Sequence, residues 1–353
     1  MKYLYFFLFS FIVSYFFMPI MRKLAFLFKI LDAPGERKVH KNPIPLLGGF
    51  GIFFSLIFVI SLHFFLFFKF KQFFSFFNFN FENVMSRLII IFIGAFIIFI
   101  IGILDDIKKI SFQIRFIIQI LVAIIIVFSG IRVNFFASSI LGDIITIFWI
   151  VGIINAFNLL DNMDGITSGV AFISSIFFFI ISIKTGQYLV PLLIATFAGS
   201  VLGFLRFNFP PAKIFMGDAG SLLLGYFLAI ISIMNLYTRN FSENFLALLV
   251  PIFILAVPLF DTFSVIFIRI KNRKPIYVGD MNHFPHKLAR LGFSPCQVAI
   301  FVYIVTFLTG CISLLLLKAN IYDGIILSII LILIFAIIIL LMEVKNNDKE
   351  KNS

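Results

Sequence analysis

The chain has 353 residues, of which 62% are hydrophobic and 12% charged, with a mean hydropathy of +1.14. So apolar a composition excludes a nucleic-acid-binding protein and leaves no room between the apolar runs for a soluble domain of ordinary size. The net charge of +12 therefore reads mainly as a membrane-orientation signal, with anionic headgroups or an anionic substrate as its second use.

Apolar runs recur along almost the whole chain, each long enough to cross a hydrocarbon core of about 30 Å as a helix. In order they fall at roughly 3–30, 47–68, 87–104, 113–129, 141–159, 166–184, 188–205, 219–238, 244–268, 297–317 and 323–342. This predicts an all-α polytopic membrane protein of about eleven transmembrane helices. Ten is the alternative count, and a re-entrant arrangement of 166–184 and 188–205, joined only by KTGQ, would shift the number by one or two. The first run lacks a small-residue cleavage site and leads straight into Arg22, Lys23 and Lys29, which marks an uncleaved span. Cys296 and Cys311 lie in one predicted helix, about 22 Å apart along its axis, too far for a mutual disulfide. Residues 1–342 are expected to form a single transmembrane domain, with 343–353 a short polar tail.

Numbering the loops alternately puts about twenty of the 28 Lys and Arg residues on one side. By the positive-inside rule that side is cytoplasmic, so the N-terminus is predicted outside and the C-terminus in the cytoplasm. The acidic segments LDDIKK, NAFNLLDNMDG and FMGDAGS fall on the same side, as do the loops DAPGERKVHKNPIPLLGG and RIKNRKPIYVGDMNHFPHKLARLGFSP. Asp261, in PLFDTF, sits about two turns before Arg269, inside the cytoplasmic leaflet. Intramembrane carboxylates are costly and face a partner, a cavity or a metal, so their common placement predicts one site open to the cytoplasm.

Adjacent carboxylates such as Asp105 and Asp106 repel unless a cation lies beside them. Magnesium suits them, since it takes oxygen ligands and uses one or two carboxylates together with substrate phosphates. A solvated helix end followed by Lys108 and Lys109 is the plainer alternative. Asn155, Asn158 and Asp161 recur at three-residue spacing and so share one helix face, which an interhelical turn alone does not explain. Asp164-Gly165 follows as a turn, with Thr167 and Ser168 opening the next helix. In FMGDAGS the glycines flank Asp218 at a helix start, where free backbone N–H groups suit a phosphate, although an N-capping Asp explains the motif equally well. His283 and His286, beside Lys287 and Arg290, exceed what a topogenic loop needs and point to substrate contact. His63 lies in an apolar span and reads as a packing residue, and orientation alone accounts for the charges around Lys38 and His40.

Taken together, LDDIKK, NAFNLLDNMDG, MGDAGS, PLFDT and the histidine loop, in this order over about residues 32–292, resemble the polyprenyl-phosphate N-acetylhexosamine-1-phosphate transferases, the glycosyltransferase 4 family. The resemblance implies an enzyme of ten or eleven helices in the bacterial inner membrane, with its active site facing the cytoplasm. It would move a sugar 1-phosphate, most readily GlcNAc-1-phosphate, from a UDP-N-acetylhexosamine to a polyprenyl phosphate and release UMP. It also implies magnesium, with manganese as the alternative, and a homodimer as the candidate assembly. The phospho-MurNAc-pentapeptide branch carries consecutive histidines in its last cytoplasmic loop. NHFPHKLARLG resembles instead the branch that primes O-antigen, teichoic acid or other surface glycans, whose pattern is His-x-His-His. His283 and His286 match its first and third histidines, and Pro285 replaces the middle one.

By that resemblance Asp218 is the leading magnesium ligand and Asp161 joins both the metal and the catalytic set. Asp105 and Asp106 would lie near the lipid phosphate, one as a base. Asp164 would face nucleotide or metal, Asn155 and Asn158 would support the substrate, and Lys38, His40, His283, His286 and Lys287 would contact pyrophosphate or sugar. Asp261 reads as structural support. The rival from another class, a secondary transporter, would place its acidic residues near the midplane with access from both faces. A CDP-alcohol phosphotransferase would need Ala-Arg after the first Asp-Gly, where this chain has ITSG.

Overall fold

The structure is a computed structural model that describes residues 2–32, 43–69, 81–133, 139–235, 245–273 and 283–351. Lys38 and His40 lie outside these described residues. The chain forms α1 (Lys2–Leu27), a two-residue antiparallel pair β1 (Leu31–Asp32) and β2 (Ile44–Pro45), then α2 (Gly48–Lys69), α3 (Phe81–Lys108), α4 (Phe112–Phe128), α5 (Ser139–Leu160), α6 (Ile166–Lys184), α7 (Leu189–Asn208) and α8 (Gly217–Met234). A 3-10 turn (Phe245–Leu249) leads into α9 (Val250–Ile254), α10 (Ala256–Lys271), the short α11 (Phe284–Arg290), α12 (Pro295–Leu316) and α13 (Ile321–Lys351). Among the described residues eight helices are long and apolar enough to cross a membrane, or nine if the bent pair α9–α10 is one span, and α2 and α4 contribute shorter apolar stretches. The protein is thus a multi-pass, all-α membrane protein. Large apolar side chains on α1, α4 and α13 remain exposed, as lipid-facing surfaces require.

The predicted run 244–268 is not a straight helix: its two halves meet at 79° on either side of Leu255. Pro258 supplies the reason. It has no N–H to give the Ile254 carbonyl and its ring crowds that carbonyl, so the first helix cannot continue through. α6 and α7, joined by a turn at Gly186 (φ +74°), are both full-length apolar helices. The polar segment after residue 342 continues α13 as helix to Lys351.

α8 is the most deeply buried of these apolar helices, with α3, α5, α2 and α6 packed around it. Small residues allow the close approach. A Cβ at Gly225 would lie 2.7 Å from Ile154 Cα, and one at Gly102 would overlap Ala219 Cα. Interfaces in lipid gain from such backbone proximity because there is little hydrophobic drive between helices. The α3–α8 contact at Gly102 brings the acidic last turn of α3 onto the first turn of α8. On the far side, α1 crosses α7 at Gly199 and Gly203, where Ser10 and Ser55 both hydrogen-bond Ser200.

Candidate active site

Asp105 and Asp106, side by side at the end of α3, have different partners. Asp105 is 6% exposed; its Oδ1 accepts the Ile110 amide at 2.7 Å and its Oδ2 pairs with Arg115 Nη1 on α4. It therefore fastens the α3–α4 turn and holds a guanidinium in place. Asp106 accepts the amides of Asp218 (2.7 Å) and Ala219 (3.1 Å). A carboxylate there satisfies two of the unpaired donors at a helix start and complements its positive end. Of the N–H groups that GDAGS could offer a phosphate, those of Asp218 and Ala219 are already taken by Asp106. The adjacent Gly217 has φ +69°, and a Cβ there would crowd Asp106 Oδ2 at 2.5 Å.

Asp218 lies in the first turn of α8, 35% exposed. Asn158 Nδ2 donates to its Oδ1 at 2.5 Å and to Ser221 Oγ at 3.0 Å, while Arg115 Nη1 stands 3.9 Å from its Oδ2. One carboxylate oxygen is thus oriented by an amide and the other faces a cation. Asn155, one turn deeper, donates its Nδ2 to Gln119 Oε1 at 2.6 Å and to the Val151 carbonyl. It ties α5 to α4 inside the bundle, because a polar group at that depth is satisfied by the neighbouring helix.

The turn from Asp161 to Gly165 is fastened from three directions. Asp164 Oδ2 accepts the Ala212 amide at 2.9 Å, the buried Asn208 accepts the Gly165 amide at 3.1 Å, and Tyr303 of α12 donates its hydroxyl to the Gly165 carbonyl at 2.6 Å. Asn208 also accepts from Ser168 Oγ and donates to the Ile214 carbonyl, so one side chain joins the turn to the loop before α8. Gly165 adopts φ +73°, a conformation glycine takes without steric cost. Asp161, half-buried on this turn, has its carboxyl pushed up to about 7, first by burial and then by the charges of Asp218, Asp106 and Asp164.

The loop carrying Lys38 and His40 leaves from β1 and returns through β2, and this base is joined to the same region. Phe215 donates its amide to the Pro45 carbonyl, and the Gly48 and Gly49 amides donate to Phe215 and Met216. At the basic segment, His283 is buried at the start of α11 with Nδ1 2.8 Å from Asp261 Oδ2, whereas His286 and Lys287 are partly exposed. The His283 and His286 rings lie 6.4 Å apart.

The donor set fits magnesium. Asp218, Asp161, Asp106 and Asp105 are close enough to interact electrostatically, which is unfavourable without a counter-cation. Among the described residues no three His, Cys, Asp or Glu side chains form a group that could hold a metal ion by themselves, so water and phosphate oxygens would have to complete the shell. Arg115, Asn208 and Tyr303 were not singled out from the sequence. In the sequence Arg115 is one more basic residue on the Lys- and Arg-rich side, and the other two are single polar residues with distant partners.

Fold and site together define a multi-pass membrane protein with a carboxylate-rich centre where the ends of α3, α5 and α8 meet. The family model described as glycosyl transferase family 4 matches residues 88–236, which carry Asp105, Asp106, Asp161, Asp164 and Asp218. A Bacillus subtilis protein named "Probable undecaprenyl-phosphate N-acetylglucosaminyl 1-phosphate transferase" is 35% identical over 329 residues, 91% of this chain and 86% of its own. The Thermotoga maritima undecaprenyl-phosphate alpha-N-acetylglucosaminyl 1-phosphate transferase is 31% identical over 63% of this chain and 62% of its own. The decaprenyl-phosphate N-acetylglucosaminephosphotransferase of Mycobacterium leprae is 29% identical over 83% of this chain and 78% of its own. The chain belongs to glycosyl transferase family 4.

Proposed function

We propose that this membrane enzyme transfers GlcNAc-1-phosphate from UDP-GlcNAc to undecaprenyl phosphate at the cytoplasmic face of the inner membrane, the priming step of a surface glycan. An oxygen of the lipid phosphate attacks the β-phosphorus, a new P–O bond forms, and the bond to the bridging oxygen breaks so that UMP leaves. The observation that carries the reading is the meeting of Asp105 and Asp106 with Asp218 and the Asp161–Asp164 turn. Such transfers depend on positioning and charge neutralisation.

Asp218 and Asp161 would hold magnesium, which when bound neutralises charge developing on the diphosphate. Asn158 keeps Asp218 turned to that task. Asp106 and Asp105 act here as supports: each already accepts hydrogen bonds with both oxygens. A general base is also unnecessary, since a phosphate monoester with a second pKa of about 6 is largely dianionic at neutral pH. Arg115, Lys287 and Lys38 supply positive charge for the phosphates, His286 and His40 offer hydrogen bonds, and the turn at Asp164 faces the nucleotide.

The test is direct. Purified protein with magnesium, undecaprenyl phosphate and UDP-GlcNAc should release UMP and form a lipid-linked diphospho-sugar. Release of UDP would instead mean ordinary sugar transfer, and no nucleotide release would refute the reading.

A further inference from the structure

Asp261 lies in the second turn of α10 and is 0% exposed. A carboxylate so buried is tolerated when its oxygens are hydrogen-bonded, and here both are. Oδ2 lies 2.8 Å from His283 Nδ1, and Oδ1 accepts the Phe284 amide at 2.6 Å. One side chain thus binds both the ring of His283 and the first amide of α11. Facing a carboxylate, Nδ1 carries the proton, because two acceptors at that distance would repel; Nε2 is then the ring nitrogen left for a ligand. His286 and Lys287 follow within one turn of α11, the His286 ring 6.4 Å from that of His283.

We propose that Asp261 is a positioning residue for the basic segment, holding His283 in its Nδ1–H form with Nε2 left to accept a hydrogen bond from a hydroxyl of the donor sugar, and fixing the start of α11 so that His286 and Lys287 meet the donor diphosphate. This rests on the phosphotransferase reading above. Asp261 touches no substrate; it acts through His283. The arrangement parallels the carboxylates that set ring orientation and tautomer in other histidine sites. It also suits a loop in which Pro285 stands between the two histidines and offers no imidazole of its own.

Histidine occurs only four times in the chain, so NMR of the full-length protein with isotope-labelled histidine can resolve each ring, with His283→Asn identifying its signal. The expected result is a protonated Nδ1 on His283 in the wild type and an altered tautomer in Asp261→Asn. In the UMP-release assay Asp261→Asn should lose about 10- to 100-fold in turnover. Placed in the His283→Asn background, the same substitution should change turnover by less than about twofold, because the two residues act as one unit. A neutral Nε2–H ring in the wild type would overturn the proposal, as would an equal loss from Asp261→Asn in both backgrounds. If Asp261→Asn does not fold, the wild-type tautomer still decides. If the wild type releases no UMP, the phosphotransferase reading fails, and the tautomer measurement judges the Asp261 assignment separately.

Discussion

Asp218 is partly exposed, oriented at one oxygen by Asn158 and faced at the other by Arg115. Asp218→Asn should therefore lower UMP release by about 100- to 1,000-fold at saturating magnesium, the range seen when a transition-state electrostatic contact is removed. Wild-type turnover in that variant at limiting magnesium would show that the ligand lies elsewhere. Asn158→Ala leaves the carboxylate in place but unaligned. It should cost about 10- to 100-fold and weaken the apparent magnesium affinity, read from a titration of rate against metal. Both residues were legible in the sequence because an acid or amide in an apolar helix has few innocent explanations. Arg115 was not, since a cation at a membrane boundary already has one. The division of labour between Asp105 and Asp106 was equally hidden: adjacency reveals repulsion, but the guanidinium on one and the two amides on the other come from α4 and α8.

At the scale of elements, the helices were readable from apolar run length, whereas the devices that align them were not. The break at Leu255 follows from Pro258, yet a proline in a run of this length is also compatible with a mild kink, and only packing decides. Gly102 seats α3 directly on the backbone of α8. Gly102→Val should push α3 away, strip Asp106 from the two amides it caps and destabilise the protein by about 1–3 kcal/mol, as overpacking does. The check is a lower melting temperature together with lost UMP release. Tyr303 tests a subtler coupling, because its hydroxyl joins α12 to a carbonyl 138 residues earlier in the chain. Tyr303→Phe removes only that bond, worth about 1 kcal/mol. The expected outcome is a rise of about fivefold in KM for UDP-GlcNAc with kcat little changed, since the turn carrying Asp164 loosens while Asp218 and Asn158 stay in place. A fall in kcat at constant KM would mean that Tyr303 supports the reacting centre instead.

For the whole molecule, function depends on which face of the membrane holds the site. The ends of α3, α5 and α7, the start of α8 and the end of α10 would share one face if the spans alternate and the bent α9–α10 pair counts as a single crossing. About twenty of the 28 basic residues then lie on that face, which the positive-inside rule assigns to the cytoplasm, where a nucleotide-sugar donor would be supplied. The bent pair decides the last spans: were it re-entrant, α12 and α13 would reverse direction and the histidine segment after α10 would lie on the face opposite the aspartates. Single cysteines introduced into a background lacking Cys296 and Cys311 separate the two cases. In intact cells a membrane-impermeant maleimide should label Lys184→Cys and Lys318→Cys, and should label Lys109→Cys and Arg290→Cys only after permeabilisation. Labelling of Lys109→Cys from outside would invert the whole molecule and remove the cytoplasmic site. Outside labelling of Arg290→Cys alone would leave the aspartate centre in the cytoplasm and detach the basic segment from it.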